Sequence, residues 1–136
     1  MYEEKRFWYK ANIISVHDGD TLRMDIDLGF TIHFLTPSLN NLPMSIRIYG
    51  YDAPELKTHM SDPDGQGEAA LASVNNWLST HSGPYMIHTV RDTEDKYGRY
   101  LVDVIADKDG NDLIAYQVMF HWLKPYFGSG PKPTWP

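Results

Sequence analysis

The segment "DTLRMDIDL", residues 20–28, alternates apolar and polar residues in the way that a half-buried β-strand requires. The preceding segment, "FWYKANIISV" at 7–16, is rich in residues that favour strands. Between them lies the turn "HDGD", whose Asp-Gly pair suits a tight reversal of the chain. The two segments are therefore predicted to form an antiparallel hairpin with one face buried.

Three more segments have the composition of strands and are bounded by Gly, Pro or Asp: "SIRIYGY" at 45–51, "YMIHTVR" at 85–91 and "YLVDVIA" at 100–106. The apolar residues of "GQGEAALASVNNWLST", 65–80, recur at helical spacing, and a second helix is predicted from about 112 to 120. This order predicts a mainly β, α+β fold. We expect a five-stranded Greek-key barrel of the OB-fold type, with two or three packed helices.

The remaining long segments are predicted to be irregular. Prolines interrupt "GFTIHFLTPSLNNLPM", 29–44, which is interpreted as an extended hairpin connection. The C-terminal segment is too rich in Gly and Pro to continue a helix, and it is predicted to be a tail from about residue 127. A chain of 136 residues without internal repeats favours one domain, 1–136.

Composition excludes several classes of function. The chain has no cysteine, so disulfides, thiolate metal sites and cysteine nucleophiles are all absent. A formal net charge of −6 argues against a protein that coats polyanions, so any contact with nucleic acid must be local. No segment has the apolar length of a signal peptide or a membrane span. We expect a cytoplasmic monomer, of a kind that a phage or plasmid can encode.

Three polar clusters lie where predicted strands end, and each alone is an ordinary turn sequence. They are "HDGDT" (17–21) with Asp18 and Asp20, "YDAPE" (51–55) with Asp52 and Glu55, and "DTEDKYGRY" (92–100) with Asp95, Lys96 and Arg99.

Together the clusters have the residues of a metal-dependent hydrolase. Hard cations such as calcium prefer carboxylate and carbonyl oxygens, and Asp20, Asp52 and the Ala53 carbonyl could supply them from two strand ends. Glu55 then remains nearby for proton transfer.

Two arginines could bind a phosphodiester, whose nonbridging oxygens gain negative charge when it is attacked. Arg47 and Arg99 offer fork-shaped donors that remain charged. A regular strand would place Arg47 and Asp52 on opposite faces, so a shared site requires a bend, for which Gly50 is the expected position.

The order and spacing of four motifs resemble the staphylococcal nuclease (thermonuclease) family. The motifs are "DGDT" at 18–21, "RIYGYDAPE" at 47–55, "GEAA" at 67–70 and "DKYGR" at 95–99, within a similarity that covers roughly residues 10 to 125. The resemblance implies an OB-fold barrel with helices. It also implies calcium-dependent hydrolysis of DNA and RNA, with cleavage on the 5′ side of the phosphodiester to leave 3′-phosphates.

The resemblance implies a role for each matching residue. Calcium would be held by Asp20, Asp52 and the Ala53 carbonyl, the scissile phosphate by Arg47 and Arg99, and the attacking water would be activated or oriented by Glu55. Lys96 and Tyr97 match positions that contact nucleotide phosphate, and Tyr126 is the candidate to flank the base. The implied substrates are single-stranded DNA, RNA and frayed duplex.

Three departures from the family pattern matter. Ala53 stands where threonine is common, but the family uses the carbonyl of that residue, so this ligand is expected to remain. The 29–44 connection is longer and the C-terminal region lacks the sequence of a third helix, so the substrate groove is expected to differ in extent. Asp62 and Asp64 occupy a loop that is basic in the best-known member, which weakens the case for tight binding of long DNA. The alternative is a nonenzymatic OB-fold module that binds nucleic acid or protein. The chain retains both aspartates, both arginines and the glutamate, and this favours the nuclease.

Overall fold

A computed structural model of the chain describes residues 6–36, 42–56 and 65–135. Within these ranges it contains eight strands and two helices. The strands are β1 (Trp8–Asp18), β2 (Thr21–Asp27), β3 (His33–Thr36), β4 (Leu42–Ile48), β5 (Tyr51–Asp52), β6 (Tyr85–Glu94), β7 (Tyr100–Ala106) and β8 (Lys124–Pro125), and the helices are α1 (Gln66–Thr80) and α2 (Leu113–Met119).

Six of the strands form a closed barrel in the order β1-β2-β3-β4-β7-β6, while β5 and β8 form a separate two-stranded pair. Neighbours in the barrel are antiparallel except β4 and β7, which are parallel, with Ile46 beside Tyr100 and Ile48 beside Val102. The prediction of a mainly β, α+β fold is confirmed. The predicted hairpin is also present, as β1 paired antiparallel with β2.

The expected number of five strands is wrong, because the 29–44 connection contributes a strand of its own. The backbone takes positive φ at Gly29, Phe30 and Thr31, and this tight turn sends the chain back along β2. Phe34 of β3 then pairs with Ile26, and Leu35 pairs with Pro43 of β4. A proline is tolerated here because it lies near the start of its strand.

The apolar residues predicted from the period of β2 form the core. Leu22, Met24 and Ile26 are at most 3% exposed, while Arg23 and Asp25 between them remain partly accessible. Helix α1 covers the barrel with the buried side chains of Ala70, Val74 and Trp77. Burial of this one face explains why the register of the hairpin is well specified.

Both predicted helices are present, and no third helix occurs among the described residues. Asp112 caps α2, where its Oδ1 accepts a hydrogen bond of 3.0 Å from the Ile114 N–H. The C-terminal tail contains no helix up to residue 135. None of the described helices is long and apolar enough to cross a membrane. The predicted acidic loop at Asp62 and Asp64 lies outside the described residues.

Small residues let α1 approach both acidic turns. A Cβ on Gly19 would lie 2.8 Å from the Ala53 Cβ and 3.2 Å from the Ala70 Cβ. A Cβ on Gly67 would overlap the carbonyl oxygen of Glu55. The glycine and alanine of "GEAA" are therefore required by packing, and they set the distance between the helix and the turns that carry the acidic residues.

We expect Gly67→Ala to destabilise the fold by about 1–3 kcal/mol, the usual cost of overpacking a closely packed site. The direction of the stability change is informative, since Gly→Ala within an unobstructed helix stabilises the helix by up to about 1 kcal/mol. Urea denaturation measures the change. Asn75→Ala, on the exposed side of the same helix, is the control and should change stability by less than about 0.5 kcal/mol. A Gly67→Ala variant as stable as the wild type would contradict the close packing.

Candidate active site

A bend at Gly50 brings Arg47 and Asp52 onto the same side of the chain. Strand β4 ends at Ile48, and Gly50 has a φ of +82°, a conformation that favours glycine. Strand β5 begins at the next residue, and the Arg47 Nη2 donates a hydrogen bond of 3.2 Å to the Asp52 Oδ1. The bend that the sequence required is confirmed.

The Arg47 guanidinium is held by the turn that follows it. Its Nη1 donates to the carbonyl oxygens of Ile48 at 2.9 Å and Tyr51 at 2.8 Å. Its Nη2 lies 3.2 Å from the Asp52 Oδ1 and 3.6 Å from the Asp20 Oδ2. The side chain is only 14% exposed, so one cation is fixed between two carboxylates with little freedom to move.

Asp20 joins the first acidic turn to the second. Its Oδ1 accepts a hydrogen bond of 2.9 Å from the Thr21 hydroxyl, and its Oδ2 accepts one of 2.9 Å from the Ala53 N–H. Asp20, Asp52 and Ala53 are all buried. The structure therefore brings together the three residues predicted as metal ligands, although Asp20 is far from the other two in the sequence.

Asp18, Asp20 and Asp52 form an acidic cluster. The nearby positive charge of Arg47 does not fully offset the negative charge of these three carboxyl groups. Burial and the neighbouring Asp20 raise the pKa of Asp18 to about 7. The same causes raise the pKa of Asp52 to about 6, despite the opposing effect of Arg47. Burial acts to raise the pKa of Asp20 as well, but a hydrogen bond from Asp18 and the charge of Arg47 outweigh it and lower that pKa.

This charge imbalance fits the binding of a cation. The oxygen donors are those that calcium prefers, and a divalent cation would offset the repulsion that raises the two pKa values. In the part of the chain that the structure describes, no group of three or more His, Asp or Glu side chains is arranged to hold a metal ion. Calcium here would therefore rely on the two carboxylates of Asp20 and Asp52, the Ala53 carbonyl and water.

Arg99, just before β7, is oriented by Asp95. The Arg99 Nε and Nη2 both lie 2.8 Å from the Asp95 Oδ2, while the Asp95 Oδ1 accepts hydrogen bonds of 2.9 Å from the N–H groups of Tyr97 and Arg99. The Arg99 Nη1 lies 3.5 Å from the hydroxyl of Thr21, the residue that follows Asp20. The third polar cluster is thereby joined to the first.

A cleft of about 350 Å³ opens above these groups. Five residues predicted to contact substrate line it together: Arg47, Lys96, Tyr97, Arg99 and Tyr126. Tyr97 is 71% exposed, with the Arg99 guanidinium 5.1 Å and the Lys96 ammonium 5.2 Å from the centroid of its ring. A cationic and aromatic wall therefore faces the cleft.

A second cavity, of about 260 Å³, opens into the barrel between the side chains of Tyr9, Phe34 and Tyr100. None of the predicted site residues lines it. The larger cleft is therefore lined by the predicted arginines and nucleotide contacts, whereas Asp20, Asp52, Ala53 and Glu55 lie outside its lining.

Glu55, the predicted base, differs from the predicted metal ligands because its side chain is exposed. Its Oε1 accepts a hydrogen bond of 3.2 Å from the Lys132 Nζ, and Lys132 lines the cleft. Among the described residues, this lysine is the one hydrogen-bond partner of the Glu55 carboxylate. Glu55 thus lies at the edge of the site and is joined to it through the C-terminal tail.

Sequence reasoning missed two residues that line the cleft, Phe127 and Lys132. It included Asp18 in the first polar cluster, but it did not predict the contact of Asp18 with Asp20. Phe127 lies where the Gly- and Pro-rich tail is predicted to begin, yet it is 69% exposed, lines the cleft and meets the Tyr49 ring edge-on at 5.7 Å between centroids. Lys132 had no local signal, because only the return of the tail places it beside Glu55.

No protein-family model matches this chain, and no curated protein matches it either. The case for its function therefore depends on the residues and geometry of the site.

We expect Asp95→Asn to lower the free energy of unfolding by about 1–3 kcal/mol at pH 7, because hydrogen bonds to a charged group are lost. Burial acts to raise the pKa of Asp95, but hydrogen bonds from the Arg99 and Tyr97 N–H groups and from the Arg99 side chain outweigh it and lower that pKa. The ionised form therefore stabilises the fold at neutral pH, and this contribution is lost as the pH falls below about 4.

Urea denaturation at pH 7 and pH 3 tests whether the contribution of Asp95 to stability is lost as the pH falls. The difference between wild type and Asp95→Asn should shrink at the lower pH. Asp109→Asn is the control, since the Asp109 side chain is 66% exposed and lies 3.8 Å from Lys108. An equal difference at both pH values would show that Asp95 does not stabilise the fold through its charge.

Proposed function

We propose that this chain is a calcium-dependent nuclease of the staphylococcal nuclease type, built on an OB-fold barrel. It hydrolyses phosphodiester bonds of DNA and RNA on the 5′ side and leaves 3′-phosphates. The observation that carries the proposal is the juxtaposition of two guanidinium groups, Arg47 and Arg99, in one cleft beside the carboxylates of Asp20 and Asp52.

Two fixed guanidinium groups suit the charge changes of phosphodiester hydrolysis. Negative charge grows on the nonbridging oxygens during attack, and preorganised cationic donors stabilise it at little cost in reorganisation. Arg47 is held by two carbonyl groups and Asp52, and Arg99 by Asp95. These hydrogen bonds do not use all five N–H donors of either guanidinium, so each arginine retains donors for a phosphate.

The carboxylates divide between two roles. Asp20 and Asp52, with the Ala53 carbonyl, would hold calcium, which would supply Lewis-acid stabilisation of the phosphate charge. Glu55 accepts the proton of the attacking water, since it is the exposed carboxylate beside the cleft rather than a buried member of the cluster.

The residues that line the cleft favour single-stranded nucleic acid as the substrate. Lys96 binds backbone phosphate, while the rings of Tyr97 and Tyr126 flank a nucleotide whose base is turned aside. A paired duplex resists this exposure, so single strands and frayed duplex are the substrates. Because the chain has a formal charge of −6, binding is weak and weakens further as salt rises.

The alternative is a binding module without catalysis. It is favoured by the ion pair of Glu55 with Lys132, because a carboxylate engaged by a cation is a weaker base. Incubation with nucleic acid distinguishes the two functions, because a nuclease yields cleaved products and a binding module does not.

Incubation of the purified protein with single-stranded DNA and RNA tests the proposal. With calcium we expect cleavage to products that end in 3′-phosphate, and with chelator we expect none. Magnesium should support turnover poorly, because a site with few protein oxygens suits the variable coordination of calcium better than the strict octahedron of magnesium. Binding without cleavage in calcium would establish the module instead. Robust turnover in magnesium alone would contradict the calcium assignment.

We expect Arg99→Ala to lower turnover by about 10²-fold or more, comparable to the loss of one preorganised oxyanion donor. Arg99→Lys should restore only part of this rate, since a point charge does not reproduce the two parallel hydrogen bonds of a guanidinium. Arg23→Ala is the matched control. Arg23 donates to the Pro43 carbonyl at 2.9 Å and does not line the cleft.

Turnover and thermal unfolding are measured on the same preparation. The partly buried pair with Asp95 is expected to contribute about 1 kcal/mol, so the Arg99→Ala protein should remain folded at the assay temperature. Unchanged turnover per folded molecule would mean that Arg99 serves only its ion pair with Asp95.

A further inference from the structure

The C-terminal tail begins on the segment that carries Asp52. Strand β8 pairs antiparallel with β5, with Lys124 opposite Asp52, and the Tyr126 N–H donates to the Gly50 carbonyl at 2.9 Å. The Phe127 ring lies so close to Gly50 that a Cβ there would be 3.1 Å from its Cε1. The start of the tail is therefore attached to the bend that shapes the site.

The tail then turns back on itself. Gly128 and Gly130 have φ values of +90° and +81°, which reverse the chain beyond Phe127. The Lys124 Nζ donates to the Thr134 carbonyl at 2.8 Å and lies 4.7 Å from the centroid of the Trp135 ring. This loop presents Lys132 to the cleft while Lys124 is used to close the loop.

The contact between Lys132 and Glu55 is easily exchanged. The Nζ and Oε1 atoms are 3.2 Å apart, but the two side chains are 57% and 55% exposed. An ion pair so exposed contributes at most about 1 kcal/mol, and less at high salt. A phosphate entering the cleft can therefore replace Glu55 as the partner of Lys132.

Lys132 differs in this respect from the arginines of the cleft. The side chains of Arg47 and Arg99 are 14% and 26% exposed, and each guanidinium is fixed by a carboxylate and by at least one further hydrogen bond. Lys132 is a point charge on a flexible stem, which suits contact with phosphates that vary in position.

We infer that Lys132 is a substrate-binding residue that leaves Glu55 for a backbone phosphate next to the scissile one, an inference that rests on the proposed nuclease function. Arg47 and Arg99 then hold the scissile phosphate, and Lys132 holds its neighbour. The substrate class is a single strand with at least two phosphates. Binding of such a strand also frees the Glu55 carboxylate from its ion pair, so the base becomes available when the substrate is in place.

Steady-state kinetics of Lys132→Ala test the inference, with Lys108→Ala as the matched control. Each variant removes one positive charge from a chain of formal charge −6, but Lys108 lies away from the cleft, 3.8 Å from Asp109. On a single-stranded oligonucleotide we expect the KM of Lys132→Ala to rise about tenfold while kcat falls less than about twofold. Lys108→Ala should match the wild type, and Lys132→Arg should recover most of the lost affinity.

Two further readouts separate a phosphate contact from a structural role. The slope of log(kcat/KM) against log salt should become shallower by about 0.7 in Lys132→Ala, the value for one phosphate contact on a single strand. The rise in KM should also be at least about fivefold smaller on a phosphodiester substrate that contains a single phosphate.

The outcomes distinguish this inference from the function on which it rests. If the wild type cleaves the oligonucleotide and Lys132→Ala matches Lys108→Ala in KM and salt slope, the inference is overturned and the nuclease stands. An equal rise in KM on both substrates, or a lowered melting temperature with an unchanged salt slope, also overturns it. If the wild type cleaves no substrate, the proposed function fails and this inference fails with it.

Discussion

The parallel pairing of β4 with β7 is the constraint on which the rest of the structure depends. These strands are separated by α1 and β6 in the chain, and their contact completes the barrel. It places Arg47 directly beside Leu101, two residues after Arg99, so that both guanidinium groups reach one cleft. A long-range parallel pairing brings no local turn with it, so its entropy cost must be offset by the apolar core that the closed barrel buries.

The small residues at the α1 contact determine how the acidic turns meet. Gly19 and Gly67 leave no room for a side chain, so the two turns lie close enough for Asp20 to accept a hydrogen bond from the Ala53 N–H. Bringing these carboxylates together has an electrostatic cost, visible in the raised pKa values of Asp18 and Asp52. Such clustering of buried like charges is typical of functional sites, where a ligand or ion offsets the repulsion.

The charged groups of the site become more exposed from its floor to its rim. Asp20 and Asp52 are buried, the two arginines are partly buried and held by several hydrogen bonds, and Lys132 and Glu55 are exposed. In the proposed nuclease, the buried groups define where the scissile phosphate lies, and the exposed pair responds to the arrival of the strand. This order follows from energetics, because buried ion pairs lose much when a partner is removed and exposed pairs lose little.

The sequence by itself predicted five of the strands, both helices and the candidate site residues whose signals are local. The alternation in β2 predicted its buried face, helical spacing predicted α1, and Gly50 was identified as the bend that Arg47 and Asp52 require. Only the tertiary structure decided what depends on distant contacts. Strand β3 exists because a turn at Gly29 returns the chain to β2, and the C-terminal tail meets Glu55 because β8 pairs with β5. The period of apolar residues in the sequence indicates which face of a segment is buried, but it does not indicate which distant segment will cover that face.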